Sequence, residues 1–290
     1  MKILKELSEA FSPSGSEEAA GSIIAAEMEK AGFTVSTDVL GSVLCHKEGT
    51  GKKLLLTAFF DEPGFMVTDA EEDGTLCLRP TGGESVDGDV RVVTESGRVG
   101  TLKKEGNKFT AFIGEGTKEA ALITAPIGSY LVFYSALKEG EVLEGKALSS
   151  RSGAAALIAA VKKIKTERDL YVLFASQHLS GSRGAFSASG TLSPDEVIAV
   201  GSVKGSGVYI SAMDKKFIAD KCVRDELIKL APGAKVSVSD TVDSDAWAFP
   251  AAIAGAVLIG AENMGTPCEK VSASDINAAA ELIKKYAERG

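Results

Sequence analysis

The chain has 290 residues, of which 44% are hydrophobic, 25% charged and 6% aromatic, and its net charge is −8. This composition excludes intrinsic disorder, and an acidic balance with no Lys/Arg-rich run argues against a nucleic-acid partner. The length suits one large domain or two modest ones.

The opening Met1-Lys-Ile-Leu-Lys-Glu lacks the apolar core of a signal sequence, so a cytoplasmic location is expected. The longest apolar stretch, 246–261, is too short for a membrane helix and is broken by Pro250 and Gly255, so no membrane association is expected. Cys45, Cys77, Cys222 and Cys268 form no Cys-x-x-Cys pair and read as reduced thiols. His46 and His178 are the only histidines.

Ile3, Leu4, Leu7, Ala10 and Phe11 share one helical face. Ser14-x-x-Glu17 reads as a capping box for a second helix carrying Ile23, Ile24, Met28 and Ala31, which Gly32 ends. Short β-rich runs follow at 34–37, 42–46, 53–60, 65–70 and 75–79, then at 90–93, 99–102, 108–112 and 130–134, with one short helix at 118–122. The texture changes at Gly145. A helix is expected over 152–165, with Leu157, Ile158, Val161 and Ile164 inward, then a fully buried strand over 170–175. Strands at 197–200, 235–238 and 253–259 precede a closing helix over 271–289 with Ile276, Ala279, Ile283 and Tyr286 inward. The pattern predicts an α/β domain, 1–72 plus 146–290, split by an inserted all-β module, a small barrel, over 73–145. In such a sheet, ligands bind beyond the carboxyl ends of the strands, so segments 58–64, 176–181, 201–203 and 260–269 should converge.

Several motifs in a fixed order run through these segments. They are Ser12-Pro-Ser-Gly15 with Glu17, Asp38-Val-Leu-Gly41, Asp61-Glu-Pro-Gly-Phe-Met-Val67, Gly82-Gly83 and Gly145-Lys-Ala-Leu148 with Arg151. Gln177, Gly181-Ser-Arg-Gly-Ala185, Ser244-Asp-Ala246 and Met264-x-Thr-Pro-Cys-Glu269 complete the series. In this order they resemble the dinuclear-metal aminopeptidases that include glutamyl aminopeptidases and endoglucanase M-like proteins. The resemblance covers nearly the whole chain. It implies a three-layer phosphorylase/hydrolase-like α/β domain, and two zinc or cobalt ions bridged by a carboxylate, with a Glu as general base. It also implies a homo-oligomer, a dimer or higher, and a peptide-like ligand.

Carried across, the first ligand His falls on Phe59 and the Asp-Asp pair on Ser149 and Ser150. The general-base Glu falls on His178, the neighbouring ligand Glu on Leu179, the next ligand Asp on Gly201 and the last His on Gly265. Phe, Leu and Gly side chains offer no lone pair and a hydroxyl is a poor zinc ligand, so no resident metal or other cofactor is expected. Asp61, which the resemblance implies would orient the first His, remains beside Glu62, with Asp245 further along.

Two readings compete. In one, the chain has lost metal binding and peptidase activity and keeps its frame for binding or assembly. In the other it is a hydrolase of peptides or esters, acting through Ser149 or Ser150, His178 and Asp61, or through a rearranged metal site of Asp61, Glu62, His178 and Asp245. His46 reads as a surface side chain and Trp247 as core packing. No Gly-x-x-x-x-Gly-Lys-Ser/Thr loop supports a nucleotide site.

Overall fold

The computed structural model describes residues 2–289. Helices α1 (Lys2–Glu9) and α2 (Glu18–Lys30) lead into β1 (Thr34–Thr37), β2 (Val43–Lys47) and β3 (Lys53–Phe59). Six strands then follow, β4 (Gly64–Ala70), β5 (Leu76–Pro80), β6 (Val90–Thr94), β7 (Val99–Glu105), β8 (Lys108–Phe112) and, after helix α3 (Lys118–Thr124), β9 (Tyr130–Phe133). The chain continues through β10 (Val142–Gly145), α4 (Leu148–Val161), β11 (Asp169–Ala175), α5 (Arg183–Ser189), β12 (Glu196–Lys204), β13 (Val208–Met213) and α6 (Lys221–Leu230). It ends with β14 (Lys235–Val238), β15 (Ile253–Glu262), β16 (Glu269–Ser272) and α7 (Ala273–Ala287).

The large mixed sheet runs β1-β2-β11-β3-β12-β15-β13-β14, with β16 joining β15 to β10. Its centre, β11-β3-β12-β15, is parallel, and its residues alternate between two cores, as a strand's period of two requires. Leu54, Leu56, Val172, Phe174, Ile198, Val200, Val257 and Ile259 face the core shared with α1, α2, α4, α6 and α7. Leu55, Leu173, Val197, Ala199, Ala256 and Leu258 face the opposite core, closed by α5 and the turn at Ala246–Ala248. Three layers result, with the parallel strand ends opening on one rim. α4 is buried along nearly its whole length, which accounts for its run of Gly, Ala, Leu and Ile. Each fully buried Leu or Ile there contributes about 2 kcal/mol.

The second sheet is a closed barrel, β4-β5-β8-β7-β6-β9, filled by Phe65, Val67, Leu76, Leu78, Val92, Leu102, Leu131 and Phe133. Phe65 and Phe133 meet edge to face with centroids 5.5 Å apart. Strand membership differs from the expected limits of 73 and 145. β4 is already a barrel strand, because the loop after β3 crosses directly into it, and β10 pairs with β16 in the large sheet.

Other expectations change as well. The Ser14–Glu17 capping box does not form: Glu17 makes no side-chain cap, Ser12 Oγ accepts from Ala20 N at 2.9 Å, and Ser14 Oγ meets Ser180 Oγ at 3.0 Å. The cause is Glu62, whose carboxylate accepts from Ser12 N at 2.9 Å and fixes the approach to α2. α4 starts at Leu148 rather than 152, and 271–272 belong to β16 rather than to the closing helix. His46 is no free surface side chain. It is half-buried, with Nε2 2.7 Å from Asp169 Oδ1 and its ring stacked on Tyr171.

Candidate functional site

At the carboxyl rim of the parallel strands, the end of β3, the start of α4, the turn after β11, the last residues of β12 and the loops before β15 and β16 enclose a pocket of about 330 Å³. Phe59, Asp61, Ser149, Ser150, His178, Leu179 and Gly265 line it, so the four expected segments do converge. Asp245 stands behind His178, and Gly201 lies one residue before the pocket-lining Ser202.

His178 organises the site. Its Nδ1 lies 2.6 Å from Asp245 Oδ1 and 3.3 Å from Ser182 Oγ, and the Phe59 ring stacks on the imidazole at a centroid distance of 3.7 Å and an angle of 10°. Burial alone would depress the His178 pKa, but contact with Asp245 and the nearby charges of Asp61 and Asp214 reverse this and raise it. The charged imidazolium is thereby favoured. Asp61 does not partner the imidazole. Its Oδ2 accepts from Leu179 N at 3.0 Å, its Oδ1 has no partner, and burial raises its pKa.

The two serines do not complete a triad. Ser150 Oγ donates to Ala147 O at 3.2 Å, and Ser149 N donates to Glu269. Among the described residues, no hydrogen bond joins either hydroxyl to His178. The expected set of Ser149 or Ser150, His178 and Asp61 is therefore not assembled, since the orienting acid is Asp245 and the hydroxyl beside the imidazole belongs to Ser182, on the same nitrogen that Asp245 occupies.

Glu62 leaves the pocket altogether. It lies under the rim, 1% exposed, with Lys146 Nζ at 2.6 Å and Arg151 at 3.1 Å. Arg151, wholly buried at the start of α4, also donates to the carbonyls of Phe60, Leu7 and Ala10. Burial lowers the Lys146 pKa to about 8 against the pull of Glu62.

Two further acids matter that the residue-by-residue reading did not select. Glu269 accepts from Ser149 N and, at 2.7 Å, from Gly265 N, so it ties the α4 N-terminus to the loop before β16. Glu17 accepts from Gln177 N at 2.8 Å behind the turn that carries His178. Burial raises both pKa values to about 7. Each stands in a quoted motif, which was the available signal.

The glycines at the two positions where the resemblance implies ligands leave no room for a side chain. A β-carbon on Gly201 would lie 1.8 Å from Asp243 O, and one on Gly265, whose φ is +78°, would lie 1.9 Å from Gly83 O. Among the described residues, no group of three or more His, Cys, Asp or Glu side chains is placed to hold a metal ion. Likewise, no helix there is long and apolar enough to cross a membrane.

The chain is similar to known aminopeptidases along its length. A protein of Acetivibrio thermocellus named "Putative aminopeptidase" is 30% identical over 317 residues, covering 97% of this chain and 96% of its own. The "Lysyl aminopeptidase" of Pyrococcus furiosus is 28% identical over 192 residues, 57% of this chain and 55% of that protein. Among solved structures, an aminopeptidase from Desulfurococcus kamchatkensis superposes with a TM-score of 0.92 at 23% identity, covering 100% of this chain and 94% of its own. The TET1 peptidase of Pyrococcus horikoshii gives 0.89 at 22%, covering 100% and 99%. The M42 glutamyl aminopeptidase profile matches residues 41–282, and with that match and the 30% relative, the chain belongs to the M42 glutamyl aminopeptidase family.

Proposed function

We propose that this M42-family chain has lost the dinuclear metal centre and the peptidase activity it supports, and now uses the aminopeptidase frame for binding a peptide-like ligand or for assembly. The observation that carries the reading is the closure of Gly201 and Gly265 against the Asp243 and Gly83 carbonyls. Substitution alone could leave a vacant cage; here the backbone fills the space two ligand side chains would need. Phe59 and Leu179 add apolar surface where donors would stand, so the residues present do not fit a two-metal centre. The His178–Asp245 contact instead sets an imidazole, whose charged form the nearby acids favour, where the resemblance places a general-base Glu.

Incubation with a panel of amino-terminal peptides, with added cobalt or zinc, tests this reading. Intact peptides after prolonged incubation are expected, and metal-dependent release of amino-terminal residues would overturn it. A hydrolase reading retains one favourable observation, the 2.6 Å His178–Asp245 contact, which orients an imidazole as in a catalytic dyad. Hydrolysis abolished by His178→Ala would support it.

Self-association is part of the proposal. The Pyrococcus horikoshii relative can assemble into a tetrahedron or a large octahedral shell, and this chain has the same fold over its whole length. Sedimentation velocity is expected to show a dimer or larger, and a monomer at all concentrations would remove that part of the proposal. We also propose that the barrel is a module inserted into the α/β domain, because both of its ends join the large sheet's side of the molecule.

A further inference from the structure

Outside the pocket, the rim carries an aromatic shelf with no role in the account above. Trp247 is half-buried, packed on one side against the core as expected and donating Nε1 to Ser182 Oγ at 3.3 Å, and Phe186, on α5, is 62% exposed beside it with ring centroids 6.3 Å apart. Leu40, Arg183, Phe186 and Trp247 line an open depression of about 470 Å³, and Val39 next to Leu40 is 98% exposed. Two cations flank it. Lys216 Nζ sits 3.9 Å from the centroid of the Trp247 ring, and exposed Arg183 bonds only the neutral Gln177 Oε1, at 2.6 Å. Neither forms a salt bridge among the described residues, in a chain of net charge −8 where carboxylates outnumber cations.

We propose that this shelf is a docking site for an acidic segment of a partner protein, one that presents a large apolar side chain between carboxylates. Trp and Arg are the residue types enriched at the energetic centres of protein interfaces, and Phe is enriched in interfaces generally. An exposed Phe beside a half-exposed Trp leaves apolar surface in water that an apolar anchor would cover. Two cations that form no salt bridge among the described residues fit negative charge around that anchor and would repel basic segments. A membrane surface fits less well, because the shelf has two cations where stable anionic-lipid attraction uses a larger cluster.

The inference does not rest on loss of the metal centre, since an active peptidase would carry the same shelf. Trp247 is the only tryptophan in the chain, so its emission reports on the site directly. The probe is the peptide acetyl-Glu-Asp-Leu-Phe-Asp-Glu-amide, free of Trp and Tyr. Its controls replace the acids by Lys or the Leu-Phe anchor by Ala-Ala. Saturable change in Trp247 emission is expected with the first peptide, with at least about tenfold weaker response to each control. Phe186→Ala and Lys216→Glu, both at exposed positions, should each weaken binding about tenfold in an anisotropy assay with labelled peptide, and high salt should weaken it further. Equal binding of the Lys peptide, no saturable change with the acidic peptide, or unaltered affinity in both variants would overturn the proposal. So would an emission change that tracks self-association in sedimentation velocity, because the occupant would then be a second copy.

Discussion

Adding a single methyl group at Gly201 would force the Asp243 backbone to move, because the new carbon would sit at well under contact distance from a carbonyl oxygen held in the loop before β15. Ser202 N donates to that same oxygen at 3.2 Å, so the loop and the strand are pinned together. Gly201→Ala is expected to destabilise the fold by about 3 kcal/mol, at the upper end of overpacking costs, as read from urea unfolding. An unchanged midpoint would mean that the strand yields easily and that the position could house a ligand side chain after all. The donor-free residues at the expected ligand positions were legible in the sequence, Leu179 and Gly265 within quoted motifs, Phe59 two residues before Asp61, and Gly201 directly after the strand run 197–200. The pairing of His178 was not. Asp61 and Asp245 are both carboxylates near the rim, and only the path of the loop after β14 decides that Asp245, 67 residues away, reaches the imidazole.

At the scale of elements, the buried ion network fixes how α1, β3 and α4 meet. Arg151 binds carbonyls at the end of α1 and just past β3, and Glu62 compensates both it and Lys146. Removing one member leaves uncompensated buried charge, so Glu62→Ala should cost about 4 kcal/mol in chemical denaturation. Adding Lys146→Met to Glu62→Ala should recover part of that loss; a fully additive double variant would contradict the coupling. Periodicity made the central strands and the barrel readable, since alternation and continuous apolar runs reflect one-sided and two-sided burial. β10, β13, β16, α5 and α6 escaped it. β10 and β16 are four residues each and α5 is seven, while α6 fully buries only Val223 and Leu227, with Ile228 and Leu230 partly covered, among charged residues at most other positions.

Three buried titratable groups, Glu17, Glu269 and His178, share one sign of pH dependence, while Lys146, lowered to about 8, acts in the opposite sense only above about pH 8. Glu17 and Glu269, with pKa values raised to about 7, bind protons in the folded state that the unfolded chain releases near 4.5. Their contribution is therefore lost as pH rises from about 4.5 through 7. His178, raised above its ordinary value of 6.5, contributes stability below that pH and loses it as pH climbs through the folded value. The urea midpoint should accordingly be higher at mildly acidic than at mildly alkaline pH, and Glu269→Gln should flatten the profile. A midpoint that rises with pH across that window would contradict these assignments.

Metal content of the native protein, purified without chelator and incubated with zinc and cobalt before desalting, tests the central claim most directly. With the ligand positions occupied by Phe59, Leu179, Gly201 and Gly265, elemental analysis should find far less than one transition-metal ion per chain. Two zinc or cobalt ions per chain, retained through desalting, would contradict it.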